Sequence, residues 1–405
     1  MRTVETAGPH TSSTAARVLL IAGIVLIAAN LRGPLTMVGP LLDTIRLDVG
    51  LSAAQAGLLV ALPLLTFAVM SPVVSRIARI TGLERLLWIA LITLSAGIVL
   101  RSIPLAPLLW AGTVLLGVAI AVGNVLLPSL IKRDFADRAG VMTGVYSTVM
   151  SIVGAIASGV AVPIANAVPG GWRTALGCLA GFALIAAAVW LPRSRSSAGG
   201  TTPGRDARYP PLAVDSARTP WRSALAWQVT AYMGLQSLAF YIVLSWLPSI
   251  LQDHGASEEL AGWLLFVLQA LGVSTTAAVP VLARRMRDQR ALAAGGSLVS
   301  LTGYLGMLFA PEMAPLWVVV LGLASGTCFV LALSFFSLRA SGPQGAAALS
   351  GMAQAVGYLL ATLGPVSFGA LHDLTGGWTV PLTVLCFAAA AQAVAGLGAG
   401  RAQYV

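Results

Sequence analysis

GLSAAQAGLLVALPLL, residues 50–65, and GASEELAGWLLFVLQA, residues 255–270, are one stretch of sequence written twice. Gly50 lies over Gly255 and Gly57 over Gly262, and each copy passes from a polar turn into a long apolar run. The agreement extends along the chain. LWAGTVLLGV (109–118) lies over LWVVVLGLAS (316–325), an offset that also puts Lys132 over Arg339. MTG…PGGW (142–172) lies over LSG…TGGW (349–378) with a slip of one residue. Chance supplies one such match; a series in order, at a separation of about 205–208 residues, is a duplication.

The composition says what was duplicated. Of the 405 residues 57% are hydrophobic and 9% charged, with a mean hydropathy of +0.87. A soluble chain carries about 25% charged residues, so lipid is the solvent for most of this one. Apolar runs of membrane-helix length recur near 17–42, 53–75, 86–101, 105–131, 139–165 and 172–191, and again near 223–251, 259–283, 291–310, 314–338, 345–370 and 379–399. The short alternating strands of an outer-membrane barrel are absent from the sequence. The expected fold is therefore an all-α integral membrane protein, twelve transmembrane helices in two pseudo-symmetric six-helix bundles. Residues 1–191 form the first bundle and 223–405 the second. The Pro-, Gly-, Ser- and Arg-rich stretch 192–222 has too little apolar surface to fold alone and reads as a cytoplasmic linker. Parallel repeats of this kind are the arrangement of major facilitator transporters.

The net charge of +10 raises the question of nucleic acid, and position answers it. With the N-terminus in the cytoplasm, 20 of the 24 basic residues fall in cytoplasmic segments, Arg46, Arg101 and Arg173 at external helix ends, and Arg32 within a helix. That is the positive-inside bias of a multi-pass protein with both termini cytoplasmic, so the basic patches face lipid headgroups and no nucleic-acid partner is expected. The polar N-terminus lacks a dense basic region and a cleavage site, so the first apolar run is expected to be retained as a helix. Cys178, Cys328 and Cys386 sit in apolar runs without metal-ligand spacing.

Arg32 is the anomaly. It stands in NLRGPL (30–35), 15 residues after Arg17 and so about 22 Å along a helix, deep in the hydrocarbon layer. A central arginine costs about 2.5–3.5 kcal/mol on insertion scales, which calls for a partner. All 14 acidic residues fall in loops or at helix ends, so no carboxylate is expected to meet it. A permanently charged guanidinium in a membrane cavity then selects an anion, which its planar fork holds through two hydrogen bonds. Pro34 is expected to bend or break the helix and expose polar backbone, with Asn30 offering an amide to the same anion. The competing reading has Arg32 snorkelling outward or bound to carbonyls of a neighbouring helix.

Other polar or aromatic residues near segment centres are candidates for the wall of a substrate cavity: Asn124, Tyr146 and Ser147 in the first half, and Gln236, Phe240, Tyr241, Gln269, Gln354 and Tyr358 in the second. Each taken alone is as well explained by interhelical hydrogen bonding or packing. An offset of 208 puts Phe240 over Arg32, so one half offers a cation where the other offers an aromatic ring.

No phosphate-binding loop, HExxH or nucleophile triad is present in the sequence, so no enzyme activity, cofactor or metal is expected. The histidines (His10, His254 and His372) are placed in a tail and at external helix ends, leaving no core proton carrier in view. Anion uptake against a negative-inside potential costs about 2.3 kcal/mol per charge per 100 mV, so it requires a downhill gradient, exchange or a coupled proton.

NLRGPLTMVGPLL (30–42), GNVLLPSLIKRDF (123–135), MTGVYS (142–147) and SWLPSILQDHGAS (245–257) together resemble the cyanate and 2-nitroimidazole transporter (CynX/NimT-like) family of the major facilitator superfamily. The resemblance implies a multi-pass porter of the bacterial inner membrane, working as a monomer by alternating access on a small anionic or flat heteroaromatic solute. The loop SRIARITGLERL (75–86) keeps Gly82 but lacks the acidic residue usual in that superfamily, so no gating role is carried over to it. A multidrug-type exporter of lipophilic compounds is the alternative on the same architecture; a membrane receptor or scaffold would not need paired repeats.

Overall fold

The structure, a computed structural model, describes residues 14–135, 138–196, 220–283, 285–341 and 343–405. Among these are twelve helical stretches long and apolar enough to cross a membrane, so the chain is a multi-pass membrane protein. The first crossing is α1 (Thr14–Thr36), a 3-10 turn at Gly39–Leu41 and α2 (Leu42–Val49). Then follow α3 (Ala53–Thr81), α4 (Leu83–Ser102), α5 (Ala106–Asp134) and α6 (Ala139–Ala167). The sixth crossing is divided into α7 (Trp172–Gly177) and α8 (Leu179–Ser196). The second half comprises α9 (Ala224–Asp253), α10 (Glu258–Ala283), α11 (Arg290–Phe309), α12 (Ala314–Leu338), α13 (Pro343–Thr375) and α14 (Thr379–Ala399). The helix α8 runs to Ser196, past the expected linker boundary at 192, and Arg193 near its end pairs with Asp134 of α5. Most of the expected linker, 197–219, lies outside the described residues.

The duplicated stretch is explained by its turn. After α2 the chain reverses at Gly50 (φ +74°), and after α9 at Gly255 (φ +90°), a left-handed conformation that only glycine adopts without strain. The Leu51 amide then donates to the Arg46 carbonyl (2.9 Å) and the Ala256 amide to the Leu251 carbonyl (3.0 Å), the same bond at equivalent positions. Ser52 accepts from the Gln55 amide at the start of α3, and Ser257 from the Leu260 amide at the start of α10. At this same end of the molecule the Trp172 indole donates to Asp48, and the Trp378 indole to Asp253. The duplication therefore preserves hydrogen bonds as well as helices.

Two pairs of helices join the halves, α3 against α13 and α6 against α10, which exchange under the pseudo-symmetry. Their packing is unequal along the membrane normal. Call the end where α1 begins and α14 finishes the terminal end, and the other the distal end. At the distal end one apolar core draws on both halves, from Met37, Leu42 and Trp172 to Trp246, Leu265 and Trp378. Toward the terminal end there are two separate cores, one around Ile24, Leu87 and Trp190, the other around Tyr232, Phe335 and Leu349. Gly57 and Gly262 mark the close approaches: a Cβ on Gly57 would stand 2.2 Å from the Pro365 carbonyl oxygen, and one on Gly262 3.2 Å from that of Ser158. At the terminal end of the same helices, a Cβ on Gly144 or Gly351 would meet nothing within 4 Å. The bundles are thus sealed together distally and parted at the terminal end.

Candidate functional site

Arg32 stands where the sealed and parted regions meet. The helix α1 passes through Gly33 and Pro34 without breaking and ends only after Thr36. The Thr36 hydroxyl donates to the Gly154 carbonyl (2.7 Å), tying α1 to α6. Gly154 also makes room for the arginine, since a Cβ there would lie 2.9 Å from Arg32 Cγ. The side chain crosses that gap toward the second half, and its Cζ lies 5.0 Å from the centre of the Phe240 ring on α9. Tyr241 of α9 and Tyr358 of α13 are close enough to interact with its charge. Phe240 and Tyr241 pack edge to face, with centroids 5.2 Å apart. A cation over an aromatic face gains about 0.5–2 kcal/mol, well short of what a lost ion pair in lipid requires. Among the described residues no carboxylate and no hydrogen-bond acceptor engages the Arg32 guanidinium. It is half-buried.

Four of the expected site residues therefore converge: Arg32, Phe240, Tyr241 and Tyr358. Gln236, one turn before Phe240, is buried and lines an adjoining cavity that includes Phe240, Tyr304 and Gln392. Gln354, one turn before Tyr358, donates to Ser350 on its own helix (2.7 Å). Ser147 and Tyr146 lie on α6 about two turns toward the terminal end from Gly154. Asn124 is exposed on α5.

Two residues have other engagements. Asn30 is 2% exposed and donates to the Leu26 carbonyl (2.8 Å). Two residues along an intact helix are about 200° apart, so Asn30 points away from the face Arg32 presents. Gln269 donates to the Ser158 hydroxyl (2.8 Å), a direct bond between α10 and α6 in the sealed region.

Arg101 stands in the last turn of α4, at the distal helix end where the sequence placed it, but its side chain turns inward. Arg101 is 2% exposed, and its Nη1 donates to the Pro34 carbonyl (2.9 Å). That carbonyl belongs to the last turn of α1, where no following amide of the helix reaches it, so the guanidinium acts as a C-terminal cap. The signal was the broken first crossing itself, because a helix end inside a membrane requires a donor from elsewhere.

The profile of the Major Facilitator Superfamily matches residues 24–365. The chain is 45% identical over 386 residues to the 2-nitroimidazole transporter of Escherichia coli (strain K12), covering 95% of this chain and 96% of that one. It is 29% identical over 360 residues to the cyanate transport protein CynX of the same organism, covering 88% and 90%. A crystal structure of a bacterial homologue of the human lysosomal transporter Spinster, 17% identical, superposes with a TM-score of 0.75 over 96% of this chain and 94% of that one, and shares the fold. The chain belongs to the major facilitator superfamily, within the family that holds the 2-nitroimidazole and cyanate transporters.

Proposed function

We infer that this protein carries a small anionic or flat heteroaromatic solute across the bacterial inner membrane by alternating access, with Arg32 as the counter-charge. The observation that supports the reading most directly is the unpaired guanidinium of the first half set over the Phe240 ring of the second, with Tyr241 and Tyr358 within range of its charge. A cargo held there touches both bundles, which is what couples binding to their relative movement. Both relatives' named solutes suit such a site. Cyanate is a small linear anion; 2-nitroimidazole is flat, and its nitro oxygens present acceptors with the spacing of a carboxylate to the arginine fork. The positive-inside bias favours a cytoplasmic terminal end, and with that orientation the core shared at the distal end supports an inward-facing arrangement.

No carboxylate or histidine engages Arg32 among the described residues, so coupling falls to exchange, to a downhill gradient or to a proton carried with the solute. An exporter of cationic lipophiles is disfavoured, because the unpaired cation repels such cargo. Purified protein in proteoliposomes tests the reading. Small monovalent anions and nitroheteroaromatics should drive counterflow of one another, whereas cationic lipophiles should not compete. Counterflow driven only by the cations would overturn it.

A further inference from the structure

A small cavity adjoins the Arg32 site inside the second bundle, walled by Gln236 and Phe240 of α9, Ser300 and Tyr304 of α11 and Ser325 of α12. Its water-accessible volume is about 20 Å³, room for one compact group. The wall carries no charged side chain. Two of its hydroxyls are spent within their own helices: Ser300 donates to the Gly296 carbonyl (3.2 Å) and Ser325 to the Gly322 carbonyl (3.1 Å). Gln236 and Tyr304 are different. Gln236 Oε1 accepts from the Ser237 hydroxyl (3.3 Å), which leaves its Nε2 amide as the free end. Among the described residues neither Gln236 Nε2 nor Tyr304 Oη has a hydrogen-bond partner. Neither atom is shut in, for each keeps surface that a water-sized probe reaches, unlike the Gln392 amide nitrogen on the same wall. Both can donate a hydrogen bond, and unpartnered donors inside a membrane bundle call for an acceptor.

The ring of Phe240 ties this cavity to Arg32, since it lines the one and lies 5.0 Å from the guanidinium carbon of the other. The cation belongs to the first half and the two donors to the second. We propose that Gln236 and Tyr304 form a neutral pole of the solute site and select flat anions with a compact hydrogen-bond acceptor, such as a ring nitrogen, at the end remote from the charge. The inference rests on Arg32 being the counter-charge for that cargo. With its anionic end on Arg32 and its acceptor between Gln236 and Tyr304, the solute bridges the two bundles. A solute of the same shape without the acceptor leaves two buried donors unpaired, which costs more than the bonds themselves contribute.

The test is equilibrium binding of pyridine-4-carboxylate and benzoate to the purified full chain at neutral pH, where the ring nitrogen carries no proton. The two are planar carboxylates of nearly the same shape, and they differ in one ring position, a nitrogen acceptor in place of C–H. The wild type should prefer pyridine-4-carboxylate by about tenfold or more. Tyr304→Phe, which removes only a hydroxyl, should cut that preference to about threefold or less, and Gln236→Leu should do the same. Equal affinities in the wild type would mean that the two donors hold only water, and that outcome overturns the proposal. A preference that survives both substitutions, or a failure of pyridine-4-carboxylate to bind, overturns it too. Arg32→Gln separates the neutral pole from the reading beneath it. Loss of both ligands in that variant, with no preference in the wild type, overturns the neutral pole alone; retention of both overturns the counter-charge and the neutral pole together.

Discussion

Arg32 of the first half and Phe240 of the second meet with 5.0 Å between the guanidinium carbon and the ring centre. Each bundle contributes one partner to this contact, a cation from α1 and an aromatic ring from α9. A flat solute gains from both, a linear anion mainly from the charge. Phe240→Leu should therefore weaken binding of a nitroheteroaromatic about 5–10-fold, the worth of roughly 1 kcal/mol of aromatic contact, and that of a linear anion by less than about twofold. Competition binding with the two classes on one preparation measures the difference.

Gly154 is the floor under the Arg32 side chain, and a Cβ there would press on Cγ at 2.9 Å and Cδ at 3.1 Å. The flexible stem can yield, so Gly154→Ala should fold with nearly wild-type stability while displacing the guanidinium. Affinity for anionic solute should fall about tenfold, equivalent to about 1.4 kcal/mol. Isothermal titration against a thermal unfolding control separates the two effects.

The distal seal depends on Gly57 more than on its twin. A methyl group at Gly57 collides with the Pro365 backbone at 2.2 Å, whereas at Gly262 the nearest atom, the Ser158 carbonyl oxygen, is 3.2 Å away. Gly57→Ala should force α3 and α13 apart and favour the distally open state; Gly262→Ala should do so less. A cysteine at position 244 (Leu244→Cys in a background lacking the native cysteines) is buried in the seal and reports this through an impermeant thiol reagent. Labelling should rise several-fold with Gly57→Ala and modestly with Gly262→Ala.

Arg339, over Lys132 in the duplication, is a structural clamp. It is 4% exposed, its Nε donates to the Ala399 carbonyl (2.8 Å), and its Nη2 donates to the Gly400 carbonyl (3.1 Å) and to Gln289. Arg339→Gln strands those carbonyls at the end of α14 and should destabilise the second bundle by about 2–4 kcal/mol. A lowered melting temperature with unchanged solute affinity in the surviving folded fraction is the expected pattern.

The crossings and the two bundles were legible because lipid leaves so few acceptable sequences, and because Gly50 and Gly255 cannot be other residues without strain. Arg32 stood out in the sequence because a charge within an apolar run calls for a partner, and the structure sets it beside Phe240. Arg101 did not, because it stands three residues before Pro104, where an arginine ordinarily anchors a helix end; its distant acceptor, Pro34, shows only in three dimensions. Asn30 was misdirected by Pro34. A break there would have freed the spacing, but α1 stays helical to Thr36, and its periodicity turns the amide away. Gln269 reads as a cavity residue in sequence, and its engagement with Ser158, 111 residues away, is a product of bundle packing.

The central claim is that the Arg32 guanidinium is completed by cargo, and equilibrium binding of an anionic solute to Arg32→Gln tests it most directly. The variant should unfold at or above the wild-type temperature, since removing an unpaired charge from the interior relieves the folded state, yet its affinity should drop at least about 100-fold, the equivalent of about 2.7 kcal/mol. Wild-type affinity in a folded Arg32→Gln protein would contradict the account.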